Sequence, residues 1–211
     1  MALLRLVALI LIAAGTLTGA HAAAGSQLTD VTGPQADLRY ATAQNFTGAP
    51  LPGYDCGDRL LLRPRAARAL AAVHRDLRRR GLGLRVFDAY RPARATEAMV
   101  RWALRTGNGR LLREDYLARR SNHNRGIAVD ATLVRLTSGR ALAMGTRYDT
   151  FSRAAHTANA TGPAARHRAI LVAAMARRGF ANYRREWWHY DLRVRGRPPA
   201  RLDRPLPCRT S

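Results

Sequence analysis

The sequence predicts an α+β domain, a small mixed or antiparallel sheet flanked by helices. Three observations carry this. Two long runs with apolar residues at helical spacing flank a stretch that turns to β character, the strand signals are short, and no regular strand–helix–strand alternation joins them. Apart from the first residues, the length suits one compact domain with its own core, and the chain has no internal repeat or low-complexity linker.

The first residues read as a signal peptide over 1–22. Arg5 gives a positive start, Leu6 to Ala14 is an apolar run, and Ala20-His21-Ala22 has the small-x-small pattern of a cleavage site. The run is too short to span a bilayer, so the expectation is export to the periplasm or beyond, with no transmembrane anchor. The mature domain is then 23–211.

Asp37 to Tyr54, rich in Thr, Asn, Gly and Pro, reads as an irregular arm with at most a short strand. Pro64 suits a first helical position, and Ala66, Leu70, Val73 and Leu77 continue that helix until Gly81. His74 lies inside it as a packing or solvated residue. Leu84 to Ala89 reads as a strand and Ala93 to Arg105 as a second helix with Met99, Trp102 and Ala103 inward. After Gly126 come strand residues Ile127, Val129, Leu133, Val134 and Leu136. Thr137-Ser138-Gly139 marks a turn, and Leu142 to Met144 is expected to return as a short strand. Ala164 to Arg178 reads as an amphipathic helix stopped by Gly179. Trp187 to Val194 reads as the last strand, before an Arg/Pro-rich tail.

Net charge is +22, which at first suggests nucleic acid. However, all the basic residues are arginine, and they scatter through the predicted helices instead of clustering with stacking aromatics. The expectation is no specific nucleic-acid partner, and a general attraction to anionic cell-wall polymers or membrane surfaces. The two cysteines, Cys56 and Cys208, invite one disulfide in an exported protein, with two buried thiols as the alternative.

Two clusters combine metal-ligand residue types with breaks in regular structure: Ser121-Asn122-His123-Asn124-Arg125-Gly126-Ile127-Ala128-Val129-Asp130 and Glu186-Trp187-Trp188-His189-Tyr190. Two imidazoles and a carboxylate make a three-ligand zinc site with one open position. Residues seven apart face opposite sides of a flat strand. His123 therefore belongs on a turn, broken from the strand of Asp130 at Gly126, and Glu186 belongs in the turn before the strand of His189. Taken singly, Asp130 and His189 also read as buried polar residues satisfied by hydrogen bonds.

Ser-x-His-x-x-Gly-x-Ala-x-Asp followed by Glu-x-x-His resembles the zinc peptidase family of VanY-type D,D-carboxypeptidases and VanX-type D-Ala-D-Ala dipeptidases. Tyr40-Ala41-Thr42 with Asn45-Phe46-Thr47-Gly48, Asp88-Ala89-Tyr90-Arg91-Pro92, Met144-Gly145-Thr146-Arg147-Tyr148-Asp149 and the full Glu186 to Tyr190 block are similar to the VanX-type branch. The resemblance covers about Asp37 to Tyr190. It implies one Zn2+ on His123, Asp130 and His189, Glu186 as general base, and Arg91 as the cation facing the developing oxyanion. It further implies Asp149 as the receiver of the substrate's α-ammonium, with Tyr40, Tyr54 and Ser121 lining a dipeptide pocket. One of Trp187 and Trp188 is expected to wall the pocket and the other to fill the core; His156 is expected to be structural. The export signal makes recovery of D-alanine from the wall a more natural role than antibiotic resistance. A carboxypeptidase acting on longer stem peptides, and a basic polymer-binding protein with a degenerate site, are the competing expectations.

Overall fold

The computed structural model describes residues 27–208; the expected signal peptide lies outside the described residues. A five-stranded mixed sheet runs in the order β2 (Gln35–Ala36), β4 (Leu82–Asp88), β5 (Ala128–Arg135), β7 (His189–Leu192) and β6 (Phe180–Asn182). β2 lies parallel to β4 and the other neighbours are antiparallel. β1 (Thr29–Asp30) and β3 (Leu61–Leu62) form a separate two-stranded antiparallel sheet. The fold is α+β, as the sequence predicts.

Helix α1 (Pro64–Arg78) starts with proline at its first turn, where the missing N–H has no helical partner to lose. Its inward stripe is Ala66, Leu70, Val73 and Leu77, each fully buried. This face packs against β4 and against α4 (Gly162–Arg177). Truncating Leu70 to alanine would cost about 2–5 kcal/mol by the usual core cavity penalty. His74 sits on the same buried side, where its Nδ1 accepts the Leu84 backbone N–H at 3.2 Å, and burial lowers its pKa. It is a packing residue.

Helix α2 (Ala93–Arg105) has the predicted bounds, followed by the single turn α3 (Arg110–Arg113). Two expected strands change. Leu142 to Met144 does not form one: Ala141 bridges to Val134 and Leu142 N–H donates to Leu133 O at 2.9 Å, but the pairing goes no further into a strand. The last strand is confined to His189–Leu192, because Trp187 and Trp188 belong to the turn before it. The inward face of α4 also holds a charged residue, Arg168, at 1% exposure.

Cys56 and Cys208 form a disulfide across 152 residues of sequence. It closes a tail that runs behind the loops around β4 and β5. Leu202 N–H donates to Asn124 O at 2.7 Å, Ala93 N–H to Leu202 O at 3.1 Å, and the Tyr90 hydroxyl to Arg204 O at 2.9 Å. The tail therefore backs the same turns that carry His123 and Arg91.

Candidate active site

The sheet register builds the site. Asp88 on β4 is paired with Asp130 on β5, and Asp130 with His189 on β7. Cross-strand partners project from the same face, so three chemistry-bearing side chains form one row across the sheet. An irregularity between Val86 and Asp88 brings Asp88 into that row. His123 reaches the row from a 3-10 turn, Asn122–Arg125, whose start is capped by Ser121: its Oγ accepts the His123 N–H at 3.2 Å. Gly126 ends the turn with φ of 67°, and a Cβ there would lie 2.8 Å from Leu28 and 3.2 Å from the Arg63 nitrogen. Glycine is needed for both its conformation and its lack of bulk. The break at Gly126 and the turn carrying Glu186 both stand where strand periodicity requires them.

Each imidazole has one nitrogen committed. His123 Nδ1 lies 2.7 Å from the Ala89 carbonyl and 3.1 Å from Asp88 Oδ2, both pure acceptors when Asp88 is ionised, so Nδ1 carries the proton. His189 Nε2 lies 3.3 Å from Asp191 Oδ1 and is assigned the proton by the same reasoning. The remaining nitrogens and Asp130 Oδ1 then face one another. His123 Nε2 is 3.2 Å from both Asp130 Oδ1 and His189 Nδ1, which is itself 2.9 Å from Asp130 Oδ1. Three lone pairs converging at this range require a cation or a shared proton between them. Burial works against charge on both Asp130 and His189, yet the neighbours win: His123 first and His189 next act on Asp130, and Asp130 with Asp191 act on His189. Asp130 is held well below the usual carboxylate range and His189 well above the usual imidazole range. Among the described residues, His123, Asp130 and His189 are the group arranged to hold a metal.

These atoms open onto a cavity of about 260 Å³, just below the roughly 300–1,000 Å³ typical of drug-sized ligand sites. The walls include Asp115, Asp130, Asp149, Glu186 and Asp191, so five of the chain's 14 acidic residues meet here, in a protein of net charge +22. Arg91 and Arg120 are the two arginines in the same walls, so carboxyl groups outnumber guanidinium groups there. Glu186, buried in the turn before β7, has its pKa pushed up to about 8, by burial first and by the charge of Asp130 next among the raising effects.

Arg91 lines the cavity at 7% exposure. Asp88 fixes its fork, with Nη2 at 2.7 Å and Nε at 2.9 Å from Oδ2, and the guanidinium stands 4.8 Å over the Tyr40 ring. Asn124 joins the two turns, donating to Arg91 O at 3.0 Å and to Thr96 Oγ1 at 2.9 Å.

Asp149 is the second focus. It holds a left-handed backbone, φ 59°, uncommon for a residue with a side chain. Its Oδ1 accepts from the Tyr40 hydroxyl at 3.0 Å, while its buried Oδ2 has no hydrogen-bond partner among the described residues. Burial, followed by the charge of Asp130, raises its pKa well above the usual range. Tyr148 links the two foci, its hydroxyl lying 2.8 Å from Asp130 Oδ2 and 2.9 Å from the Tyr40 hydroxyl.

Tyr40, Ser121, Asp149, Glu186 and Arg91 all line the cavity with His123, Asp130 and His189. Tyr54 does not: its hydroxyl donates to Asp88 Oδ1 at 2.6 Å, behind Arg91. Trp188 is the tryptophan on the cavity wall, whereas Trp187 turns its indole N–H to Thr146 Oγ1 at 2.8 Å. His156 Nε2 meets the Tyr116 hydroxyl at 2.9 Å, away from the three donors. Asp88, Tyr148 and Asp191 are the contributors that the sequence reading gave no role. Only Asp191 carried a local signal, standing two residues beyond His189 on the same strand face.

The family model for D-Ala-D-Ala dipeptidases matches residues 26–210. The chain belongs to this metallopeptidase family. It is 35% identical over 191 residues to a D-alanyl-D-alanine dipeptidase of Streptomyces coelicolor, covering 83% of this chain and 94% of that one. A D-alanyl-D-alanine dipeptidase of Enterococcus faecium matches at the same identity and coverage. A solved VanY D,D-pentapeptidase in complex with Zn(II) aligns at a TM-score of 0.39 and 16% identity, over 67% of this chain and 77% of that one.

Proposed function

We propose that this family member is a zinc-dependent dipeptidase that hydrolyses D-Ala-D-Ala to D-alanine in cell-wall peptide turnover or recycling. The observation that carries the reading is one cavity holding both three convergent ligand atoms and, at Asp149, a buried carboxylate oxygen without a partner. The donor set suits zinc: two imidazole nitrogens with their opposite nitrogens tied down, one carboxylate oxygen, and an open side toward the cavity. His123, Asp130 and His189 would hold the ion. Zinc in such a site supplies Lewis-acid polarisation and a water acidified toward neutral pH.

The chain's own residues then divide the work. Asp149 receives the substrate's α-ammonium, which supplies the missing partner for Oδ2. Tyr40 orients that carboxylate and Ser121 edges the pocket. Glu186, a carboxylate tuned upward by burial, takes a proton from the attacking water and passes it to the departing amine. Arg91, rigidly held by Asp88, presents a fixed positive charge to the scissile carbonyl oxygen as negative charge develops there. A longer or N-acylated peptide places an amide against Asp149 and leaves the buried carboxylate unpaired, which disfavours it.

Residues 1–22 would direct export to the periplasm or the extracellular side, leaving 23–211 as the enzyme domain; this part rests on the sequence pattern. No helix of the described residues is long and apolar enough to cross a membrane. The positive net charge would favour contact with anionic wall or membrane surfaces without a specific nucleic-acid partner.

A dipeptide panel with and without a chelator tests the reading. D-Ala-D-Ala should be cleaved, the chelator should stop cleavage, and added Zn2+ should restore it. Preference for N-acylated or longer D-Ala-D-Ala peptides would instead support a carboxypeptidase, and metal-independent turnover would refute the zinc mechanism.

A further inference from the structure

Arg168 on α4 is 1% exposed, yet among the described residues it forms no ion pair. Its guanidinium is spent on backbone. Nε donates to Met144 O at 2.8 Å, Nη2 to Ala154 O at 3.1 Å and Nη1 to His156 O at 2.6 Å. These carbonyls stand at the two ends of segment 144–156, which contains no strand and carries Asp149 in its left-handed conformation between them. The segment comes close: a Cβ on Gly145 would lie 3.2 Å from Nη2 and 3.3 Å from Ala164 Cβ. Trp187 adds its own bonds, from its indole N–H to Thr146 and from its backbone N–H to Ala155 O at 3.1 Å.

A buried cation without a counter-ion is costly, and an apolar side chain would fill the same space without that cost. What arginine provides is a planar fork that reaches separated carbonyls in one fixed geometry. We propose that Arg168 is the positioning residue for recognition of the substrate's free amino terminus. By clamping both ends of segment 144–156, it holds Asp149 with Oδ2 turned into the cavity. It rests on the reading of Asp149 as the ammonium receiver.

The test uses the full zinc-loaded protein with D-Ala-D-Ala and N-acetyl-D-Ala-D-Ala. Arg168→Lys keeps the charge and loses the fork. It should raise KM for the free dipeptide about tenfold while kcat falls less than about threefold, and should narrow the preference over the acetylated substrate. Added to Asp149→Asn, it should raise KM by no more than about twofold further, because both act on one contact. An unchanged KM in folded Arg168→Lys, or effects that multiply in the double variant, would overturn the proposal. Should Arg168→Lys fail to fold, Gly145→Ala, which presses on Nη2 from the loop side, must give the same KM shift, and an unchanged KM there overturns the proposal. If Asp149→Asn itself leaves KM and amine preference intact, the reading of Asp149 fails instead.

Discussion

Glu186→Gln should separate activity from stability. The parent carboxyl ionises near its ordinary 4.5 in the unfolded chain but at about 8 in the folded, metal-free protein. Between those values the folded state keeps a proton that the unfolded state has released. The group's contribution to stability therefore falls as pH rises from 4.5 toward 8, and stays low above that. At ~1.4 kcal/mol for each tenfold change in proton affinity, the full penalty is roughly 5 kcal/mol in alkaline buffer. Glutamine has the same shape and never ionises, so the variant escapes the loss.

Metal-free parent and Glu186→Gln should thus melt nearly together at about pH 4, below both values, while at about pH 9 the variant should melt higher by roughly 10–20 °C, at ~2–4 °C per kcal/mol for a chain of this size. Asp149 is also raised, by burial first and in part by the charge of Glu186, so the variant relieves Asp149 as well and the melting difference at high pH reads both effects. The same substitution should lower kcat of the zinc-loaded enzyme by about 10²–10⁴-fold, the usual worth of a general base, while leaving zinc content unchanged. A melting difference independent of pH would refute the burial of an ionisable group at this position. Near-parental kcat would refute its role as base.

His123→Ala should abolish zinc retention, measured as metal per chain after dialysis, because it removes one of three convergent donors. Asp191→Asn should keep the fold and weaken zinc affinity by about 10–100-fold in a competition titration, since it loosens the partner of His189 Nε2. Replacing Cys56 by serine should lower stability by about 2–5 kcal/mol in denaturant unfolding, and thiol titration of the denatured, unreduced parent should find no free thiol.

How far the sequence revealed this arrangement depends on how local each constraint is. The bounds of α2 follow from spacing and breakers that act within a few residues. The break at Gly126 follows from strand alternation, which forbids His123 and Asp130 from sharing a face without it. The segment Leu142 to Met144 stops short of a strand for a reason no local pattern carries: Leu142 N–H still reaches Leu133 O at 2.9 Å, but Met144 spends its carbonyl on Arg168, 24 residues away. Tyr54 has its pocket-facing chemistry diverted by Asp88, a partner 34 residues away. Arg168 was hidden for a similar reason. In a chain so rich in arginine, nothing local distinguishes the one whose three acceptors lie 12 to 24 residues upstream.

The abundance of arginine also explains why composition pointed away from the site. Net charge describes the exterior, whereas the cavity gathers Asp130, Asp149, Glu186 and Asp191 around a single buried guanidinium, that of Arg91. In low dielectric such a set of carboxylates cannot all remain ionised without positive partners; burial first, and the charge of Asp130 after it, push Glu186 and Asp149 upward. A divalent cation at one end and an ammonium group at the other would remove it at the two points where lone pairs stand unmatched. On the proposed reading, the cavity's electrostatics favour a ligand whose cationic group lies a short, fixed distance from the bond to be cleaved. A dipeptide with a free amino terminus has that form, and a polymer interior does not.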